Sequence, residues 1–191
     1  GRADLYDVRR AAAFYMVNHA SFSGTMKSFG IKLPALSRTV NDLMLASKRL
    51  ERVVILNRDF GDSIKVNDKE GTLHYCDPPY FETEDKYRVL FPPSNHERLH
   101  EIARQCKGRI VISYVDCDYI RDLYQDFFIL AFERPNTMAH EEGAKFGEVI
   151  ITNFDPRPII ELNAPQLSMF HDLPEGLELV NIPKTERKLL Q

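Results

Sequence analysis

Hydrophobic positions along the chain follow two patterns, one with a helical period and one of short continuous runs. Helical spacing predicts helices over about residues 4–20, 36–50 and 94–106, with a shorter one at 120–127. Continuous runs rich in β-branched residues predict strands, because such runs are typical of buried sheet segments. The strands predicted in this way are residues 52–57, 72–76, 110–115, 128–132 and 148–153.

The order of these elements indicates the fold class. Strands alternate with helices through the middle of the chain, which predicts an α/β sheet that is mostly parallel. Only a short polar segment separates the last two strands, so we expect them to pair antiparallel as a closing hairpin. The predicted organisation is a helical segment at 1–50, an α/β segment at 51–154 and an irregular, proline-rich tail at 155–191.

Composition and charge narrow the class of protein. The chain has 191 residues, of which 43% are hydrophobic and 28% charged, as in ordinary soluble globular proteins. Its net charge of -3 excludes a global basic field, so any contact with nucleic acid must come from local patches.

The cysteines and histidines show no metal-ligand spacing, and we assign no metal. No apolar run reaches membrane-spanning length and no signal peptide is visible, so we expect a cytoplasmic protein without a membrane partner.

One apolar run ends abruptly in Asp77-Pro78-Pro79-Tyr80. The two prolines stop the strand, which places the acid and the aromatic ring at the carboxyl end, where open α/β sheets bind ligands. The Asp77 carboxylate and the Pro78 carbonyl can each accept a hydrogen from an exocyclic amine, and Tyr80 can stack on a base. A plain strand-to-loop turn is the alternative. We favour the functional interpretation, because the tetrapeptide directly follows an apolar strand and precedes a charged stretch.

The succession of strand, Asp-Pro-Pro-Tyr, helix, strand, helix and closing hairpin resembles the catalytic half of amino-group methyltransferases that use S-adenosylmethionine. More narrowly, the chain resembles the Dam-like (class alpha) adenine-specific DNA methyltransferases. Residues 11–24 resemble the helix and Phe-x-Gly stretch of that family's target-recognition region, and residues 146–153 resemble its closing strand. The fold that this resemblance implies is a three-layer Rossmann-like methyltransferase sheet.

The resemblance also implies an activity and its residues. It implies S-adenosyl-L-methionine-dependent methylation of the adenine amino group in double-stranded DNA, with base flipping, and a role for the chain in restriction–modification or genome marking. Asp77, Pro78, Pro79 and Tyr80 would be catalytic. Asp59, Phe60 and Asp77 would contact the cofactor, although a β-turn with a buried Phe60 explains the Arg58-Asp59-Phe60 motif equally well. Candidates for phosphate contact are Lys27, Lys32, Arg38, Lys86, Arg88 and Arg134.

The chain departs from the family pattern in one respect. The family carries a Phe-x-Gly-x-Gly loop after its first strand, and no such loop is found here. We therefore expect an N-terminal half or a partner chain to complete the cofactor site, and the sheet of this chain to be incomplete. Two alternatives stay open: an RNA adenine or guanine amino-methyltransferase, and an incomplete, non-catalytic module that binds nucleic acid or a partner chain.

Overall fold

A computed structural model describes residues 5–21, 36–81, 91–135, 145–158 and 176–183. The chain divides into two compact units, Gly1–Asn57 and Arg58–Gln191. The first unit contains helices α1 (Leu5–Ala20) and α2 (Leu36–Leu50), as their helical spacing predicts. Among the described residues, no helix combines the length and the hydrophobicity needed to cross a lipid bilayer.

The second unit is built on a five-stranded sheet with the strand order β1-β2-β4-β3-β5. β1 and β2 pair in parallel, whereas the pairs β2–β4, β4–β3 and β3–β5 are antiparallel. The predicted antiparallel pairing of the closing strands is confirmed, but the prediction of a mostly parallel sheet is wrong for the described residues. The strands are β1 (Leu73–Cys76), β2 (Arg109–Val115), β3 (Phe128–Pro135), β4 (Lys145–Thr152) and β5 (Leu177–Asn181).

Three helices belong to the same unit: α3 (Phe60–Asn67), α4 (Pro93–Gln105) and α5 (Asp118–Leu123). Apolar side chains of all three join one buried cluster with side chains of β2, β3 and β4. Strand β2 shows the alternation expected of a sheet with one covered face, because Ile110, Ile112 and Tyr114 are fully buried while the residues between them are half-buried. This cluster fixes the strands on which the site is built.

Several local predictions are corrected. The predicted strand at 52–57 is not formed. Val54 and Ile55 are 80% and 78% exposed, because no strand among the described residues pairs with this segment. Residues 58–60, for which a β-turn was the alternative interpretation, lead into helix α3 instead. Helix α4 begins after Pro92 without a side-chain cap, although Ser94 and Glu97 have the spacing of a capping box. The tail predicted to be irregular contributes β5.

Candidate active site

The Asp77–Tyr80 tetrapeptide lies where the parallel strand pair ends. The register pairs Cys76 of β1 with Ile112 of β2, and the chain leaves the sheet at the next residue. The predicted position at the carboxyl end of a strand is therefore confirmed. Asp77 is exposed, whereas Pro78, Pro79 and Tyr80 are half-buried. An exposed acid at this edge can reach a ligand without belonging to the core.

A cleft of about 500 Å³ opens beside this turn. Its walls come from α3, from β1 with the turn that follows it, from α4, and from Phe91 in the segment before α4. Phe60 contributes from α3, and Asp77, Pro78 and Pro79 contribute from the turn. The structure thus brings the predicted cofactor contact Phe60 and the predicted catalytic acid into one cleft. The other lining residues are Ser63, Ile64, Asn67, Leu73, His74, Tyr75, Cys76, Phe91 and Leu99.

The Asp77 carboxylate is held by the neighbouring strand. The Ser113 hydroxyl of β2 donates a hydrogen bond to Asp77 Oδ1 at 3.0 Å. The Tyr75 hydroxyl in turn donates to Ser113 Oγ at 3.3 Å. Among the described residues, no protein group donates a hydrogen bond to Asp77 Oδ2. One carboxylate oxygen is therefore used to fix the side chain, and the other can accept a hydrogen from a ligand.

The Tyr80 ring is anchored on the sheet. Its hydroxyl donates to Glu148 Oε1 of β4 at 3.1 Å, and its ring lies tilted against Tyr114 with centroids 6.4 Å apart. The Glu148 side chain is buried, at 6% exposure. Sequence reasoning predicted Tyr80 but not this anchor. A charged residue at the start of an apolar strand was the signal that could have indicated Glu148.

Aromatic side chains pack against Phe81, the residue that follows the tetrapeptide. Phe81 stacks on Tyr119 with centroids 4.1 Å apart and meets the fully buried His96 edge-on. His96 Nδ1 lies 2.8 Å from the Tyr114 hydroxyl. These contacts connect the residue after the tetrapeptide to α4 and α5 directly, and to β2 through His96.

Asp59 caps helix α3 and forms an ion pair with Arg98. Its side chain caps α3 by accepting hydrogen bonds from the Gly61 and Asp62 amides at 3.0 and 3.3 Å. Arg98 of α4 donates from Nη1 to Asp59 Oδ2 at 2.9 Å and from Nη2 to Oδ1. This guanidinium lowers the pKa of Asp59 to about 2. The Arg98 guanidinium also lies 4.6 Å from the Phe60 ring centroid, which orients that ring at the cleft.

The predicted phosphate contacts stay predictions. Lys27, Lys32, Lys86 and Arg88 lie outside the described residues. The backbone at positions 38 and 134 lies in α2 and β3 respectively, but their side chains are not described.

A cluster that the sequence did not predict lies at the opposite end of β1. Ligand-type atoms of Asp68, His74 and Cys106 lie within 4.8 Å of one another. The Asp68 carboxylate accepts hydrogen bonds from the Lys107 and Gly108 amides, each at 2.9 Å, and lies 3.4 Å from His74 Nε2. Burial raises the pKa of the Cys106 thiol to about 11. Asp68 therefore already contacts two backbone amides and His74. We interpret the cluster as a structural connection between β1 and the start of β2.

Comparison with known protein families agrees with the geometry. Residues 3–138 match the model of the D12 class N6 adenine-specific DNA methyltransferases, a range that runs from α1 through β3 and includes the tetrapeptide. No individual curated protein matches the chain. The match covers well over half of the 191 residues and agrees with the resemblance drawn from the sequence. The chain therefore belongs to the D12 class N6 adenine-specific DNA methyltransferase family.

Proposed function

We propose that this chain carries the catalytic site for transfer of a methyl group from S-adenosylmethionine to the N6 amine of adenine in double-stranded DNA. The observation that carries the proposal is that Phe60 and Asp77-Pro78-Pro79 line the same cleft at the end of β1. The family match supports adenine methylation in DNA. The cofactor, the duplex substrate and base flipping are our proposal.

The described residues fit an adenine-containing cofactor. The Phe60 ring lines the cleft, and the Arg98 guanidinium packs over this ring and orients it. Apolar residues such as Ile64 and Leu99 continue the wall, as in most small-molecule sites. S-adenosylmethionine would supply an electrophilic methyl group for in-line displacement by the amine. Asp59 is engaged by α3 and by Arg98, so its predicted cofactor contact would have to be made alongside these bonds.

The turn at Asp77-Pro78 would position the amine for attack. Asp77 and the Pro78 carbonyl would accept the two amine hydrogens, and this directs the nitrogen lone pair away from them. An amine held in this way reacts faster because the attack geometry is set before the reaction. The acceptors also stabilise the positive charge that develops on the nitrogen during attack, and that charge is then lost as a proton.

Access to the amine requires that adenine leave the duplex. Tyr80 is the candidate for holding the flipped base by stacking, with its ring orientation set by the hydrogen bond to Glu148. The phosphate contacts of the DNA would come from the cations predicted above.

The outer edge of β1 supports a further part of the proposal. β1 is the terminal strand of the described sheet, and its Leu73 and Tyr75 side chains are exposed and line the cleft. An unpaired strand edge is a template for another strand. We propose that an N-terminal half or a partner chain adds a strand here and completes the cofactor site.

Methyl transfer from tritiated S-adenosylmethionine tests the proposal, with unmethylated duplex DNA and ribosomal RNA as competing acceptors. We expect label in DNA. Asp77→Ala is expected to lower the rate by about 10²-fold or more, as for loss of one preorganised charge-stabilising group. Its denaturation midpoint is expected to stay unchanged, because Asp77 is exposed. Asp122→Ala, an exposed acid on α5, is the matched control. Label only in RNA, or near-normal turnover by Asp77→Ala, would contradict the proposal.

Calorimetry with S-adenosylmethionine tests the cofactor part. Phe60→Ala is expected to weaken binding by about 1–3 kcal/mol, the cost of a lost stack on a base. Phe154→Ala, which lines a different surface, is the control. If the wild-type protein does not bind the cofactor under conditions where it binds DNA, the non-catalytic alternative gains support.

A further inference from the structure

The two ends of the tetrapeptide are each held by a side chain from a neighbouring strand. Ser113 of β2 holds Asp77, and Glu148 of β4 holds Tyr80. The two strands are paired, with Ser113 opposite Ile150 and Val115 opposite Glu148, so both holding residues lie at the same end of the sheet. Neither was predicted from the sequence as a functional residue.

Ser113 is oriented by its own hydrogen bonds. A hydroxyl has one proton to donate and two lone pairs to accept with. The Ser113 proton goes to Asp77 Oδ1, and one lone pair accepts the Tyr75 hydroxyl proton. A bond to one oxygen restricts rotation of the carboxylate plane, so Asp77 Oδ2 is held in a set position for a ligand. Ser113 therefore controls the geometry of Asp77 without contacting the ligand itself.

Glu148 acts on Tyr80 in a comparable way. A carboxylate that is 6% exposed has lost most of its water and depends on protein donors. The Tyr80 hydroxyl is such a donor, and the bond fixes the plane of the ring. A ring whose plane is fixed before binding loses less conformational entropy when a base stacks on it.

We propose that Ser113 and Glu148 are positioning residues of the methyl-transfer site, Ser113 through the Asp77 carboxylate and Glu148 through the Tyr80 ring. The inference rests on the proposed function. It assigns different kinetic effects to the two residues. Ser113 sets the attack geometry and therefore affects kcat, whereas Glu148 prepares the stacking surface and therefore affects KM for DNA.

Steady-state kinetics on unmethylated duplex DNA separate these effects. Ser113→Ala is expected to lower kcat about 10-fold, the lower end of the range for losing a hydrogen bond to a charged group because this bond is exposed, with KM for DNA unchanged. Ser113→Thr keeps the hydroxyl and is expected to stay within about threefold of wild type. Tyr80→Phe keeps the ring but loses its hydroxyl, and it is expected to raise KM for DNA about fivefold or more. Ser47→Ala on α2 controls for the serine-to-alanine change itself.

The outcomes separate this inference from the function on which it rests. If the wild-type protein, assayed together with the N-terminal half or partner chain that completes its cofactor site, transfers no methyl group, the proposed function fails, and the positioning roles fail with it. If the wild type is active and Ser113→Ala keeps a normal kcat, only the role of Ser113 is refuted. Equal losses in Ser113→Ala and Ser113→Thr would refute it too, because the hydroxyl would not be the cause. A normal KM in Tyr80→Phe refutes the role of Glu148.

Discussion

Asp68 is the residue whose removal is expected to test the architecture of the site most directly. It follows α3, and its carboxylate accepts the Lys107 amide at Oδ2 and the Gly108 amide at Oδ1, each at 2.9 Å. The same side chain lies 3.4 Å from His74 Nε2 on β1. Asp68 therefore connects the turn that starts β2 to the strand that leads into the Asp77–Tyr80 tetrapeptide.

The cost of Asp68→Ala follows from these bonds. A hydrogen bond to a charged group contributes about 1.5–3 kcal/mol. The bond from Gly108 is partly buried and is counted fully, whereas the bond from Lys107 is exposed and water replaces much of it. We expect Asp68→Ala to lower the free energy of unfolding by about 2–4 kcal/mol. Urea denaturation at pH 7 measures it. Asp126→Ala, an ion-paired acid that is 40% exposed, is the control, with an expected loss below about 1 kcal/mol.

The pH dependence gives an independent check. The hydrogen bonds from the Lys107 and Gly108 amides hold the pKa of Asp68 below its usual range. Because the pKa in the folded state lies below that in the unfolded state, the stabilisation is fully present above about pH 4 and is lost as the pH falls through the folded value. The difference between wild type and Asp68→Ala is therefore expected to shrink below pH 4. A constant difference down to pH 3, or equal stabilities at pH 7, would refute the reasoning.

Two further predictions concern the same region. Gly108→Ala is expected to destabilise the fold by about 1–3 kcal/mol in urea denaturation, because a Cβ there would lie 2.6 Å from the Thr72 carbonyl oxygen and 2.8 Å from that of Lys69. Gly71→Ala, whose Cβ meets nothing within 4 Å, is its control; equal effects would contradict the steric argument. Burial raises the pKa of the Cys76 and Cys106 thiols to about 11, so iodoacetamide at pH 8 is expected to modify both about 10²-fold more slowly than in the unfolded protein. Fast modification of either thiol in the native protein would show that the thiol is not buried as described.

The sequence indicates the elements of this fold better than their arrangement. Helices α1, α2 and α4 were predictable because each repeats apolar residues at helical spacing. The predicted strand at 52–57 was wrong although its residues favour β-structure, because a strand also needs a partner and none of the described strands pairs with this segment.

The direction of the sheet was not predictable from the pattern. A parallel sheet was inferred from the alternation of strands with helices, which holds for β1, α4 and β2. The structure then places β4 between β2 and β3, antiparallel to both. This order depends on which strand edges meet in three dimensions, and hydrophobic periodicity carries no information about that.

The candidate site shows the same division between local and long-range information. The Asp77–Tyr80 tetrapeptide was found because its prolines end a strand, which is a local signal. Ser113 and Glu148 were missed because their roles arise from residues 36 and 68 positions away in the chain. Ser113 could have been noticed, since it is the one aliphatic hydroxyl residue in the run 110–115, whose other members are aliphatic apart from Tyr114.

The register of the parallel pair links the stability of the fold to the geometry of the site. Leu73 pairs with Arg109 at the start of β1 and Cys76 with Ile112 at its end, so the next two residues, Asp77 and Ser113, come side by side. A slip of one residue would place Ile112 or Tyr114 beside Asp77, and neither carries an aliphatic hydroxyl at that distance from the backbone. The register is held at its start by Asp68, which binds the amide of Gly108 immediately before β2. The contact that Asp68 makes at one end of these strands therefore helps to set which side chain lies beside Asp77, the proposed catalytic acid, at the other end.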